Sequence, residues 1–243
     1  MKKIYLIFLI LNALLFPLRL SFAEDLYTKE YIQKLRKSVS STRKKLTKLE
    51  EIKVGDHYGG GVVYYIDEKH RQGIIAADHD CDLKFSNGIK GYYPWGNPRE
   101  LGINVQGAAL FSGELNTDNI FNNIYMSDYK AAIAAFFYGV FNPSECSTDT
   151  VTCSLYWSLP SVYELSMMYI FGAPNLPNPN QPNLESNILI PNFIPTKYWS
   201  STEYEPSPDC AWVVNFNNGS LSAEPKDSVF TNYRVRAVRY FTY

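Results

Sequence analysis

Asp78, His79, Asp80 and Asp82 set three carboxylates and an imidazole within five residues. Oxygen-rich clusters of this kind suit a hard cation such as calcium, but the spacing is not that of an EF-hand loop. A solvated acidic turn has the same composition. The histidines His57, His70 and His79 have no nucleophile at a matching spacing, and Ser200 and Ser201 sit in a strand-like run rather than a nucleophile elbow. The residues therefore predict no catalytic group, no cofactor and no metal site, and the protein reads as a non-enzyme.

Other residues could bind. Arg43, Lys44, Lys45 and Lys48 form a basic run with two spacers before the fourth cation. On a helix Lys44 and Lys48 fall one turn apart on one face, with Lys45 beside them. That spacing suits a polyanionic glycan; an ordinary solvated helix face has the same pattern. Arg236 and Arg239 lie near the end of the sequence. A buried guanidinium needs a carboxylate, for which Asp56 and Glu164 are the expected partners; the alternative for Arg236 is an anionic ligand. Trp95, Trp157, Trp199 and Trp212 can stack on ligand rings or fill a core. Trp95, in Tyr92-Tyr93-Pro94-Trp95-Gly96, reads as an aromatic loop and is the one expected to meet a ligand.

These groups need elements to hold them. Lys2 and Lys3, the apolar run Ile4–Leu18 and Ser21-Phe22-Ala23 read as a signal peptide over 1–23. This predicts a protein that is secreted, at the cell surface or in the periplasm of a bacterium, with no transmembrane segment after cleavage. Residues 24–53 hold neither Gly nor Pro, and Ile32, Leu35, Val39, Thr42, Leu46 and Leu49 form an a/d seam. The seam predicts a helical stem that associates as a coiled coil; the alternative is one amphipathic helix packed on the head. The stem carries nine Lys or Arg against five Asp or Glu, whereas residues 54–243 carry eleven against nineteen. An acidic head gives no electrostatic reason to bind nucleic acid.

In the head, Val62–Ile66 reads as a central strand and Gly73–Ala77 as its hairpin partner. A helix is expected over 128–141. A second starts near Ser161, which forms a capping box with Glu164. Strands follow at 198–201, at 211–216 and 220–223 about an Asn218-Gly219 turn, and at 233–240. Between them, 173–195 is rich in Pro and Asn and longer than an ordinary connection. Strands, two helices, then strands predict an α+β class. Four cysteines, Cys81, Cys146, Cys153 and Cys210, in an exported chain predict two disulfides of three connectivities. The short loop favours Cys146–Cys153, which leaves Cys81 with Cys210. Neither spacing suits zinc.

Four stretches together resemble a known bacterial family. They are Val54–Tyr65; Trp157-Ser158-Leu159-Pro160 with Glu164-Leu165; Tyr198–Tyr204 with Ala211-Trp212 and Asn215-Phe216; and Val235–Arg239. The pattern is similar to the C-terminal domain family of the Legionella collagen-like protein, over about residues 54 to 240. Ser158 stands where that family usually has Arg, and no collagen repeat precedes the head. The resemblance implies a C-type-lectin-like head, related in shape to formylglycine-generating enzymes, and an adhesin-like binding role. It further implies a trimer and a glycan ligand, with sulfated glycosaminoglycans the example. A protein-binding module without glycan recognition is the alternative, and a formylglycine-generating type of enzyme a more distant one. Gln181-Pro182-Asn183 is similar to the calcium tripeptide of sugar-binding lectins, but its companion Trp-Asn-Asp is missing.

Overall fold

A continuous apolar run can be a strand only where both its faces are covered, and Val62–Ile66 meets that condition. In the computed structural model, which describes residues 52–83, 90–96, 105–122, 128–141, 156–172, 190, 192–227 and 233–243, this run is the middle of β2 (Gly61–Asp67). It pairs antiparallel with β1 (His57–Tyr58) and with β3 (Gln72–Ala77). The later elements are α1 (Ser112–Asn122), α2 (Lys130–Phe136), α3 (Tyr138–Phe141), α4 (Val162–Gly172), β4 (Lys197–Glu203), β5 (Cys210–Asn215), β6 (Leu221–Pro225) and β7 (Val238–Thr242). The strands form two antiparallel sheets, ordered β1-β2-β3-β7 and β4-β5-β6. The class is α+β. The signal peptide, all of the stem but its last two residues, and the basic run Arg43, Lys44, Lys45 and Lys48 lie outside the described residues.

Alternation along the strands divides the core in two. Val63, Ile75 and Ala77 face Trp95, Tyr129, Trp157 and the Ala-rich side of α2. Val62, Ile74 and Ala76 face Leu165 and Met168 of α4, with Tyr198 and Phe216. The four-stranded sheet is thus buried on both sides, which explains a run without polar alternation. The capping box is present in both directions: Ser161 N donates to Glu164 Oε2 at 2.7 Å and Glu164 N to Ser161 Oγ at 3.2 Å. Gly219 supplies the φ of 75° that the β5–β6 turn requires, and its amide donates to Asn215 O at 2.7 Å.

Two expectations are corrected. The run 233–240 is not one strand of one sheet. Tyr233 bridges Tyr93 and Arg234 bridges Tyr198 of β4 before the chain enters β7, so residues 233–237 run between the two sheets. Cys81 and Cys210 are not joined: both are free thiols, Cys81 buried in the core and Cys210 opening β5. Cys81 N bonds to Val235 O, and Arg234 bonds in turn to β4, beyond which lies β5. Three strand spacings of about 4.8 Å separate the two cysteines, against the roughly 7 Å that a disulfide spans. Burial pushes the pKa of both thiols up. Cys146 and Cys153 fall outside the described residues.

Candidate functional site

β3 ends at Ala77, whose amide donates to Ala237 O, and Cys81 N donates to Val235 O. Residues 78–80 therefore arch over the 235–237 segment. On the 233–237 stretch Arg234 and Arg236 are two apart, so their side chains share a face. They meet Asp80. Arg236 is 0 % exposed and uses its whole guanidinium. Its Nε donates to Asp80 Oδ1 at 2.8 Å and NH2 lies 2.7 Å from the same oxygen. NH1 donates to Ala77 O at 2.8 Å and NH2 also to Asn192 O at 2.9 Å, while Phe193 covers one face at 4.1 Å.

Asp80 Oδ2 accepts from Tyr198 Oη at 2.9 Å and from Arg234 NH1 at 3.1 Å. Burial, followed by the Asp80 charge, raises the Tyr198 pKa and keeps it a neutral donor. Arg234 stacks on the Tyr92 ring at 4.5 Å, and its side chain is 16 % exposed. Burial would lower the Arg234 pKa, but contact with Tyr92 and the Asp80 charge outweigh it. At the rim, Lys90 Nζ lies 2.6 Å from Asp82 Oδ2. His57 Nε2 lies 2.5 Å from Asp78 Oδ2 with the imidazole largely in solvent, and Asn192 Nδ2 donates to Asp78 O at 3.4 Å.

A second buried centre lies across β4. Lys226 is 0 % exposed and its ammonium pairs with Glu203. It also donates to Pro208 O at 2.5 Å and sits 4.8 Å from the Trp95 ring centre. Three ammonium donors thus face a carboxylate, a carbonyl and a π-face. Glu203 Oε2 accepts from Val105 N at 3.1 Å.

This geometry revises the sequence-based sites. Trp95 is 1 % exposed: Lys226 lies over its ring, Tyr129 meets it edge-on at 5.6 Å, and its Nε1 donates to Ser200 O at 2.6 Å. An aromatic loop that looked exposed is folded inward because a buried ammonium needs its face. Trp157 and Trp199 are buried as well, while Trp212 is half-buried. Arg236 has the structural carboxylate foreseen for it, but this is Asp80 and not Asp56 or Glu164. Arg239 NH1 donates to Gly59 O at 3.0 Å. The acidic turn spends Asp80 on guanidinium groups, and the described residues contain no cluster of three His, Cys, Asp or Glu able to hold a metal. Gln181-Pro182-Asn183 lies outside the described residues. Arg234, Tyr92 and Lys90 were missed. The available signal was the i,i+2 spacing of Arg234 and Arg236, which places two cations on one strand face.

The family model of the Lcl C-terminal domain matches residues 142–239 of the chain. The match includes α4, β4, β5, β6 and both arginines of the site; Asp80 and Tyr92 precede it. No curated protein matches the chain.

Proposed function

We propose that this is an exported, adhesin-like binding protein whose C-type-lectin-like head recognises a glycan and whose helical stem makes it a homo-oligomer, with a trimer favoured. The observation that carries this reading is the Arg236–Asp80 clamp. It ties Asn192, at the foot of the Pro- and Asn-rich stretch, to the 78–82 turn and to the segment between the sheets. Loops fixed by buried charge on a rigid scaffold are a usual setting for recognition. The motifs within 142–239 support the adhesin-like reading, and the Arg43–Lys48 run supports a sulfated glycan as one ligand. Multivalent display on an oligomer would strengthen weak individual contacts.

The test is a glycan array probed with residues 24–243 and 54–243, with and without chelator. Binding of one glycan class that survives chelator supports the reading; a blank array with both rejects it. Heparin retention lost on removing residues 24–53 would assign the sulfated ligand to the stem. Light scattering on the same pair tests the oligomer, and equal monomer masses reject it. A second reading, a protein partner, is favoured by exposed Leu115 and Tyr163 on α1 and α4. Capture of one defined protein with a blank array would support it.

A further inference from the structure

At Asp80 the charges in direct contact do not balance. One carboxylate serves two guanidinium groups, Arg234 and Arg236. Arg236 is fully engaged, with Nε, NH1 and NH2 all bonded. Arg234 is not. Its NH1 reaches Asp80, whereas its Nε is a buried donor with no hydrogen-bond partner. A guanidinium has five N–H donors in one plane, so Arg234 keeps spare donors on its Nε edge. The surroundings hold that plane in place. Tyr92 covers one face at 4.5 Å. Gly91, at φ 78°, lets the backbone pass close to the head group: a Cβ there would lie 3.3 Å from NH1. The next residue back, Lys90, places a largely exposed ammonium at the rim, where it pairs with Asp82.

We propose that Arg234 binds an oxyanion of the ligand, a carboxylate or a sulfate, on its Nε edge, with Tyr92 as the platform and Lys90 as the outer cation. Two coplanar oxygens match the guanidinium fork, the stack fixes its plane, and the anion neutralises the charge that Asp80 leaves over. The inference rests on the proposed glycan reading only for the source of the oxyanion, a uronate or a sulfated sugar.

The test uses the full chain carrying ¹⁵N at the arginine side chains. Sodium sulfate and sodium acetate are titrated separately against sodium chloride at constant ionic strength. The Arg234 Nε–H signal, assigned through its contact with the Tyr92 ring, should move and saturate with at least one of them, while that of Arg236 stays. Saturation by sulfate alone selects a sulfated sugar, and by acetate alone a uronate. Arg234→Lys keeps the charge and loses the fork, so affinity should fall by at least about tenfold. The inference is overturned if the wild-type signal is unmoved by both anions, if it drifts without saturating as in chloride, or if a folded Arg234→Lys binds like wild type. The wild-type titration decides the matter even if the variant does not fold. Array binding with an unmoved Arg234 signal rejects this site and leaves the glycan reading; saturation at Arg234 with a blank array does the reverse.

Discussion

Two ionic centres flank β4, and they are built to different degrees of completion. At Lys226 a single buried ammonium meets one buried carboxylate, one backbone carbonyl and one buried indole face. At Asp80 one carboxylate meets two guanidinium groups, one buried and complete, the other partly exposed with a donor idle. Burying a charge is tolerated when every partner is supplied from within. The first centre satisfies that condition and belongs to the core. The second satisfies it for Arg236 alone; Arg234, whose side chain is partly exposed, keeps a buried Nε without a partner. Completeness of the polar shell, more than residue type, separates a structural charge from one available to a ligand.

Breaking the closed centre should have the largest effect. Lys226→Met leaves Glu203 buried without its cation and should destabilise the fold by about 3–5 kcal/mol in denaturant unfolding. Adding Glu203→Gln removes the orphaned charge while keeping an acceptor for Val105 N, and should restore more than half of the loss. A double variant as unstable as the single would contradict a simple ion pair.

Glu164, the capping-box acid, offers a third buried charge for comparison. Burial pushes its carboxyl up to about 7, although Ser161 N, the Tyr240 hydroxyl and Gly113 N donate to it and pull the other way. A pKa raised in the folded state means that the native protein holds the proton more tightly. The stabilisation is complete below the unfolded value near 4.5 and is lost as pH rises through about 7. Stability should fall by about 3 kcal/mol across that window from this group, and Glu164→Gln should flatten the profile there. An unchanged profile in the variant would contradict the assignment.

Trp95→Phe removes the Nε1 bond to Ser200 O and weakens the face beneath Lys226. A loss of about 2 kcal/mol is expected, with no effect on ligand capture, since the ring is buried. Lost glycan binding at full stability would return Trp95 to the ligand site.

Local signals were legible in the sequence and long-range pairings were not. The Ser161–Glu164 capping box, the β2–β3 hairpin and the Asn218-Gly219 turn depend on residues a few positions apart, and each is present. α1 escaped notice because Asn116, Thr117, Asp118 and Asn119 are weak helix formers whose place is set by tertiary bonds, Asn116 to Gly107 O and Thr117 to Leu159 N. The Asp80–Arg236 pair joins residues 156 apart, and several acids fitted the charge equally well before the fold brought one of them near. Trp95 misled for the same reason: its partner Lys226 lies far along the chain, and nothing in Tyr-Tyr-Pro-Trp-Gly shows an ammonium above the ring.

Stability should register least at the open centre: Arg234→Lys keeps the cation beside Asp80 and should cost no more than about 1 kcal/mol. Its effect lies elsewhere, and one measurement tests the contrast between the two centres most directly. Thermal unfolding of wild type, Arg234→Lys and Lys226→Met is followed in increasing sulfate or acetate at constant ionic strength. A ligand that binds only the folded state stabilises it by RT ln(1 + [L]/Kd), so above Kd the midpoint climbs with the logarithm of its concentration. The account predicts a logarithmic rise with at least one anion in wild type, the same rise from a lower midpoint in Lys226→Met, and little or none in Arg234→Lys. An equal rise in all three, or none in wild type, would contradict it.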